Sequence, residues 1–253
     1  MSVQPRASRD SHYRLVLWNI GSTLLDVARV NRAAYAEAFR AVTGRPLIQV
    51  PQMAGRTDSE TFFEALEVNA TGPSLGDPAG EELLGAFVAR LAVAFRARRD
   101  LLTTQGQLMP GALAAVTAVW RLPGLVQTVV TGSIRPNAIE VLRAFGLERY
   151  FDIEIGGFGS EVYPKGAMLL NARGRAAEKY RTGFTERTTV YIADSTRDVA
   201  AARIGGARSI GIASGRSSAG ELRDAGADVV LDDLADTGAV VATVDRLTVP
   251  VRS

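Results

Sequence analysis

The stretch Tyr13-Arg14-Leu15-Val16-Leu17-Trp18-Asn19-Ile20-Gly21-Ser22-Thr23-Leu24-Leu25-Asp26 decides how the chain is read. An apolar run of strand length, Leu15 to Trp18, meets Gly21, Ser22 and Thr23, which tolerate tight backbone geometry and present N–H groups. That combination predicts a buried strand entering a turn suited to an anion.

Working outward, the period changes after Asp26. Val27, Val30, Ala34, Tyr35, Ala38, Phe39 and Val42 recur at three- and four-residue steps and Gly44 stands where a helix would stop, which predicts an amphipathic helix. A second helix follows, carrying Phe62, Phe63 and Leu66, with Thr57 or Asp58 as its cap. A third carries Leu83, Leu84, Phe87, Leu91 and Phe95. Residues 27–105 thus show helical signals only.

Strand signals return at 125–130, ending in Thr131-Gly132-Ser133, and again at 151–155, 189–193, 209–212 and 228–231. Strands alternating with helices predict a parallel sheet covered on both faces, with the site at the strands' carboxyl ends. Asn19, Thr131 and Asp194 each fall just past an expected strand.

Composition narrows the function classes. A formal charge of +2 over 253 residues gives no reason to expect a nucleic-acid partner, and the arginines at 96, 98 and 99 read as a solvated helix face closed by Asp100. No apolar window is long enough for a membrane span. Residues 1–12 lack the apolar core of a secretory leader and read as a disordered tail, so the expectation is a cytoplasmic protein. Zero cysteines exclude disulfides and thiolate chemistry.

The opening stretch resembles the first motif of the haloacid dehalogenase (HAD) superfamily, an apolar strand followed by Asp-x-Asp-Gly-Thr-Leu-x-Asp. Aligned on Thr23-Leu24-Leu25-Asp26, its two aspartates fall on Asn19 and Gly21. Three further stretches resemble later motifs in order. Val129-Val130-Thr131-Gly132-Ser133 resembles the second, and Tyr163-Pro164-Lys165 the third, with Gly166 where the family has Pro. Ala193-Asp194-Ser195-Thr196-Arg197-Asp198 resembles the fourth, with Ala193 for Gly. Taken singly, each has a plainer reading: Thr131 as a turn residue, Lys165 as a surface charge, Asp194 as a helix cap.

The helical insertion containing Gly55-Arg56-Thr57, with the stretches around Gly205-Gly206 and Gly220–Asp228, is similar to the phosphoglycolate-phosphatase-like branch and its C1-type cap. The resemblance implies an α/β, HAD-like Rossmannoid parallel sheet with an inserted helical cap. Residues 13–26 and 106–246 would form the core, 27–105 the cap and 247–253 a tail.

It also implies roles. In the family the first aspartate attacks phosphorus and the second moves the leaving-group proton, so Asn19 stands at the nucleophile position and Gly21 at the acid/base position. Thr131 and Lys165 complete the catalytic set. Ser22, Thr23, Gly132, Ser133 and cap residue Arg56 would contact substrate phosphate. Mg²⁺ would be held by Asp194, the Asn19 amide oxygen and the Gly21 carbonyl, with Asp198 supporting them. Loss of a carboxylate ligand predicts weak binding.

An amide is a poor nucleophile and glycine carries no titratable group. Asp26, Asp58, Glu60 and Glu161 offer no placement in line with a phosphate, and the sole histidine, His12, lies in the tail, removing the Ser–His route for Ser22 or Thr23. The sequence therefore predicts a HAD-fold binding or regulatory pseudoenzyme that has lost aspartyl-phosphate phosphatase activity. It would bind a small, phosphorylated molecule, and a protein partner is compatible with such a role. Two other readings stay open: a cleft recruited to non-hydrolytic biosynthetic chemistry, and a hydrolase with an unorthodox nucleophile.

Overall fold

The computed structural model of the protein describes residues 13–53, 55–73, 77–160 and 164–249. Its strands are β1 (Arg14–Trp18), β2 (Leu25–Asp26), β3 (Gln107–Leu108), β4 (Leu125–Thr131), β5 (Gly157–Phe158), β6 (Thr189–Ala193), β7 (Arg208–Ile212) and β8 (Val229–Leu231). Its α-helices are α1 (Ala28–Thr43), α2 (Asp58–Val68), α3 (Pro78–Arg96), α4 (Leu102–Gln105), α5 (Ala112–Trp120), α6 (Arg135–Ala144), α7 (Lys165–Tyr180), α8 (Thr196–Ile204), α9 (Ala219–Asp224) and α10 (Thr237–Leu247).

Every residue of β1 is buried, because the strand lies at the centre of a parallel sheet ordered β5-β4-β1-β6-β7-β8. Alternate side chains leave it in opposite directions. Val16 and Trp18 join the larger core with α5 and α6, while Leu15 and Leu17 join a second core under α7 and α8. Both faces are thus covered by helices, as near-continuous apolar strands require. Arg14, at the far end of β1, is buried and donates to Asp245 on α10 at 2.5 Å, fastening the last helix to the sheet.

The chain leaves the sheet through β2 and returns through β3, a short antiparallel pair. Between them lie α1 to α4. Gly44 ends α1 with φ of +71°, a left-handed turn that suits glycine. Thr57 caps α2, accepting from the Glu60 N–H while Glu60 accepts from the Thr57 N–H. The insert's own core is aromatic: Phe62 stacks on Phe87 with centroids 4.2 Å apart, and Tyr35 meets Phe87 edge-on at 4.8 Å.

The segment 151–155 departs from its expected strand. Ile153–Ile155 form a 3₁₀ turn, and pairing with β4 is deferred to Gly157–Phe158. The cause is local: the Asp152 carboxylate accepts from the Glu154 N–H, and the Asp152 carbonyl accepts from the Thr128 hydroxyl at 2.6 Å. The apolar/acidic alternation that suggests a strand is the pattern of that capped turn. His12, Glu161 and Tyr163 lie outside the described residues.

Candidate active site

The site forms where β1, β4 and β6 end side by side, at the point where the sheet's connections diverge to either side of β1. After β1, the Ile20 carbonyl accepts from the N–H groups of Thr23, Leu24 and Leu25, and the Ser22 N–H donates to the Leu25 carbonyl. The turn is tight enough to hold Ser22 at φ of +58°, in the left-handed region. The Ser22 and Thr23 N–H groups, expected to face an anion, are therefore spent inside the turn.

A cavity of about 330 Å³ opens over these strand ends. It brings together the expected residues Asn19, Gly21, Ser22, Arg56, Thr131, Gly132, Ser133, Lys165 and Asp194. Two expected residues are placed behind it. Thr23 is fully buried and donates its hydroxyl to Asp194 Oδ1 at 2.8 Å. Asp198 is also buried; its Oδ1 lies 2.5 Å from Lys165 Nζ and 3.2 Å from the Tyr191 hydroxyl, and its Oδ2 accepts from Ser195 at 2.6 Å.

Lys165 opens α7, which aims its ammonium at the sheet. Besides Asp198 it donates to Asn19 Oδ1 at 3.1 Å. Gly166, where the resemblance leads one to expect Pro, has a packing reason: a Cβ there would press on Ile204 of α8 at 2.6 Å. Ser195 caps α8 by accepting from the Asp198 N–H, which frees Asp194 from the plainer role of helix cap.

Asn19 and Asp194 are both buried and joined directly. Asn19 Nδ2 donates to Asp194 Oδ1 at 3.0 Å and lies 2.9 Å from the Gly21 carbonyl and 3.2 Å from Thr23 Oγ1. Asp194 Oδ2 accepts from the Arg216 N–H at 3.1 Å. Burial, followed by the charge of Asp198, raises the Asp194 pKa above the ordinary carboxylate range; Thr23, Arg216 and Lys165 oppose that. Tyr191 is held protonated, its pKa raised well above normal chiefly by burial and then by Asp198.

These donors do not fit a hard divalent cation. Mg²⁺ takes oxygens, and here the amide nitrogen of Asn19 faces the two oxygens that would be its neighbours among the ligands. Asp194 is committed through both oxygens to protein donors, and Asp198 is occupied by Lys165 and Ser195. Among the described residues no group of three or more acidic, histidine or cysteine side chains could hold a metal ion.

Among the cavity residues not assigned to the site from the sequence, Arg216 and Asp58 bear on its geometry. Arg216 follows Gly215, which lies so close under Asp194 that a Cβ would collide with the carboxylate. Asp58 reaches the cavity from the insert and ties it to the core. Its N–H donates to the Gly132 carbonyl at 2.7 Å, its Oδ2 accepts from the Ile134 N–H at 2.9 Å, and neighbouring Ser59 donates to the Gly159 carbonyl at 2.7 Å. Desolvation pushes the Asp58 pKa up to about 7, against the pull of the Ile134 N–H. The sequence offers Asp58 as one of two helix caps and, with Glu60 and Glu161, as an acid near the cleft; the insert's folding back sets it on the cavity wall.

A parallel sheet with a helical insert after its central strand, and a Lys–Asp pair beside a strand-end threonine, is the layout of a capped, Rossmannoid α/β fold. The comparisons agree. Residues 16–203 match the model of the haloacid dehalogenase-like hydrolases, and the chain belongs to that family. It is 27% identical over 239 residues to the probable phosphatase IndB of Dickeya dadantii (strain 3937), covering 94% of this chain and 97% of IndB. Among solved structures it is similar to CbbY of Rhodobacter sphaeroides in complex with phosphate, with TM-score 0.62, 21% identity and coverage of 91% and 99% of the two chains. It is equally similar to an Asp-to-Asn variant of CbbY in complex with xylulose-1,5-bisphosphate, with TM-score 0.62, 21% identity and coverage of 90% and 99%. Among the described residues no helix is long and apolar enough to cross a membrane.

Proposed function

We propose that this HAD-family protein holds a small phosphorylated molecule between insert and sheet without cleaving it by the aspartyl-phosphate route, and acts as a binding or regulatory pseudoenzyme on a protein partner in the cytoplasm. One observation carries the reading: the residue at the point of attack is Asn19, and both ends of its amide are committed, the oxygen to Lys165 and the nitrogen to Asp194 and the Gly21 carbonyl. A neutral carboxamide, its nitrogen lone pair delocalised into the carbonyl, is a poor nucleophile toward phosphorus. Gly21 adds no group to protonate a leaving alcohol.

What remains suits ligand capture. Lys165 supplies a buried cation, while Thr131, Ser133 and Arg56 line the same cavity. The bound phosphate of CbbY, and the sugar bisphosphate held by its Asp-to-Asn variant, support a phosphorylated ligand here.

A second reading has its own observation. Asp58 borders the cavity with a pKa of about 7, the range in which a carboxyl group can give and take a proton at neutral pH. A cleft recruited to other chemistry would use it as acid or base. Hydrolysis by an unorthodox nucleophile is the version that the similarity to IndB favours.

A panel of phosphomonoesters with Mg²⁺, comparing wild type with Asn19→Asp/Gly21→Asp, separates these. A Cβ at Gly21 meets no atom within 4 Å, so the aspartate can be accommodated. The expected result is turnover by the double variant alone. Wild-type turnover of several esters, abolished by Asp194→Ala, would overturn the proposal.

A further inference from the structure

The two replacements at the first motif are connected by charge. The motifs that the sequence resembles would carry carboxylates at positions 19, 21, 194 and 198 beside one lysine at 165 in sequence terms, and a bound divalent cation would offset two of those negative charges. Here two of the four carboxylates are absent. With Asp194, Asp198 and Lys165 alone, the cluster has the same formal charge that the complete pattern has with its cation bound. Restoring a cation to the present cluster would leave it two units more positive, with a single aspartate facing the ion.

Geometry gives the same answer through different atoms. Lys165 offers donors only, so the oxygen of the Asn19 amide must face it, at 3.1 Å. That fixes the other end of the amide. Nδ2 is thereby set 2.9 Å from the Gly21 carbonyl, 3.0 Å from Asp194 Oδ1 and 3.2 Å from Thr23 Oγ1. Turning the amide over would place its NH₂ against an ammonium and its oxygen against a carboxylate and a carbonyl. A cation could be admitted only by that reversal. Nor is Asp194 waiting for a ligand, since Asn19, Thr23 and the Arg216 N–H already donate to it.

We propose that the Asn19 amide group stands in for the divalent cation, its N–H donors satisfying the Gly21 carbonyl and Asp194, so that this cleft is assembled and binds its anion without metal. The inference rests on the reading above in taking the cleft as the ligand site. It differs in concerning how the cleft is held together, whatever reaction follows.

The test uses the full chain. Thermal melts in EDTA and in millimolar MgCl₂ are paired with titration of Mn²⁺ read by its free-ion paramagnetic signal. Wild type is expected to melt at the same midpoint in both buffers and to leave the Mn²⁺ signal undiminished, while inorganic phosphate raises its midpoint equally in both. Asn19→Asp is expected to melt lower in EDTA, to recover with Mg²⁺, and to bind Mn²⁺ at least about tenfold more tightly than wild type.

A Mg²⁺-dependent rise in the wild-type midpoint that Asp194→Asn removes would overturn the proposal. So would an Asn19→Asp protein that folds yet gains no metal affinity. If that variant fails to fold, the wild-type melts and Mn²⁺ titration still decide. Phosphoester turnover by wild type in EDTA would sink the pseudoenzyme reading and leave this one standing; Mn²⁺ binding without turnover would do the reverse.

Discussion

Replacing Asp58 by Asn isolates what a buried carboxyl group costs at the junction of insert and sheet. The amide oxygen can still accept from the Ile134 N–H, and the backbone bond to Gly132 is untouched. What changes is titration. An ordinary aspartate loses its proton near 3.8, whereas in the folded protein Asp58 loses it near 7.

Below about 3.8 both folded and unfolded chains keep the proton, so the group takes nothing from stability. Between the two values the folded chain still holds a proton that the unfolded chain has released, and stability drains as pH rises. Above about 7 both have released it and the loss is complete. Each pH unit of displacement is worth ~1.4 kcal/mol, giving an upper limit of ~4 kcal/mol. Asp58 is only half-buried by exposed surface, with an edge open to the cavity, so water screens part of this and the loss is about 2 kcal/mol.

Urea unfolding of both proteins at about pH 4 and about pH 8 reads it directly. Relative to wild type, Asp58→Asn should gain about 2 kcal/mol between the two conditions. Parallel pH dependences for the two proteins would refute the reasoning, because they would mean that Asp58 ionises as freely in the fold as outside it.

Lys165→Met should lower stability by about 3–5 kcal/mol in urea unfolding, since the substitution leaves Asp198 charged and buried without its cation; a loss under about 1 kcal/mol would show that the pair is not needed to hold α7 against the sheet. Gly132→Ala should cost about 1–3 kcal/mol, because its Cβ would overlap the Arg56 carbonyl. Hydrogen exchange should accelerate at the start of α2 and stay slow in β1 and β6, and uniform acceleration would argue against a local effect.

Much of the fold is legible in the chain because its central strands are mostly apolar. Arg14–Trp18, Leu125–Thr131 and Thr189–Ala193 must be buried on both faces, and only a covered parallel sheet allows that. The stripe from Val30 to Phe39 and the glycine at 44 likewise determine α1 and its end. Segment 151–155 misleads because a capped 3₁₀ turn and a short strand share one apolar/acidic alternation.

The candidate site is legible as a set of residues but not as a set of bonds. Asn19, Thr131, Lys165 and Asp194 are found by their order along the chain and do converge. The orientation of the Asn19 amide depends on Lys165, Gly21 and Asp194 at once, a relation that no local pattern encodes. Arg216 and Asp58 enter from a loop and from the insert, whose approach to the sheet depends on carbonyls at Gly132 and Gly159.

That last junction couples two events. One carbonyl gripping the insert, that of Gly132, belongs to the loop that also carries Thr131 and Ser133; the other, that of Gly159, follows β5 and is tied to the same loop by its N–H, which donates to the Ser133 carbonyl at 3.0 Å. Lifting the helices to let a molecule out would therefore slacken the very segment that cradles it, so departure of the guest and dismantling of its seat would be a single motion.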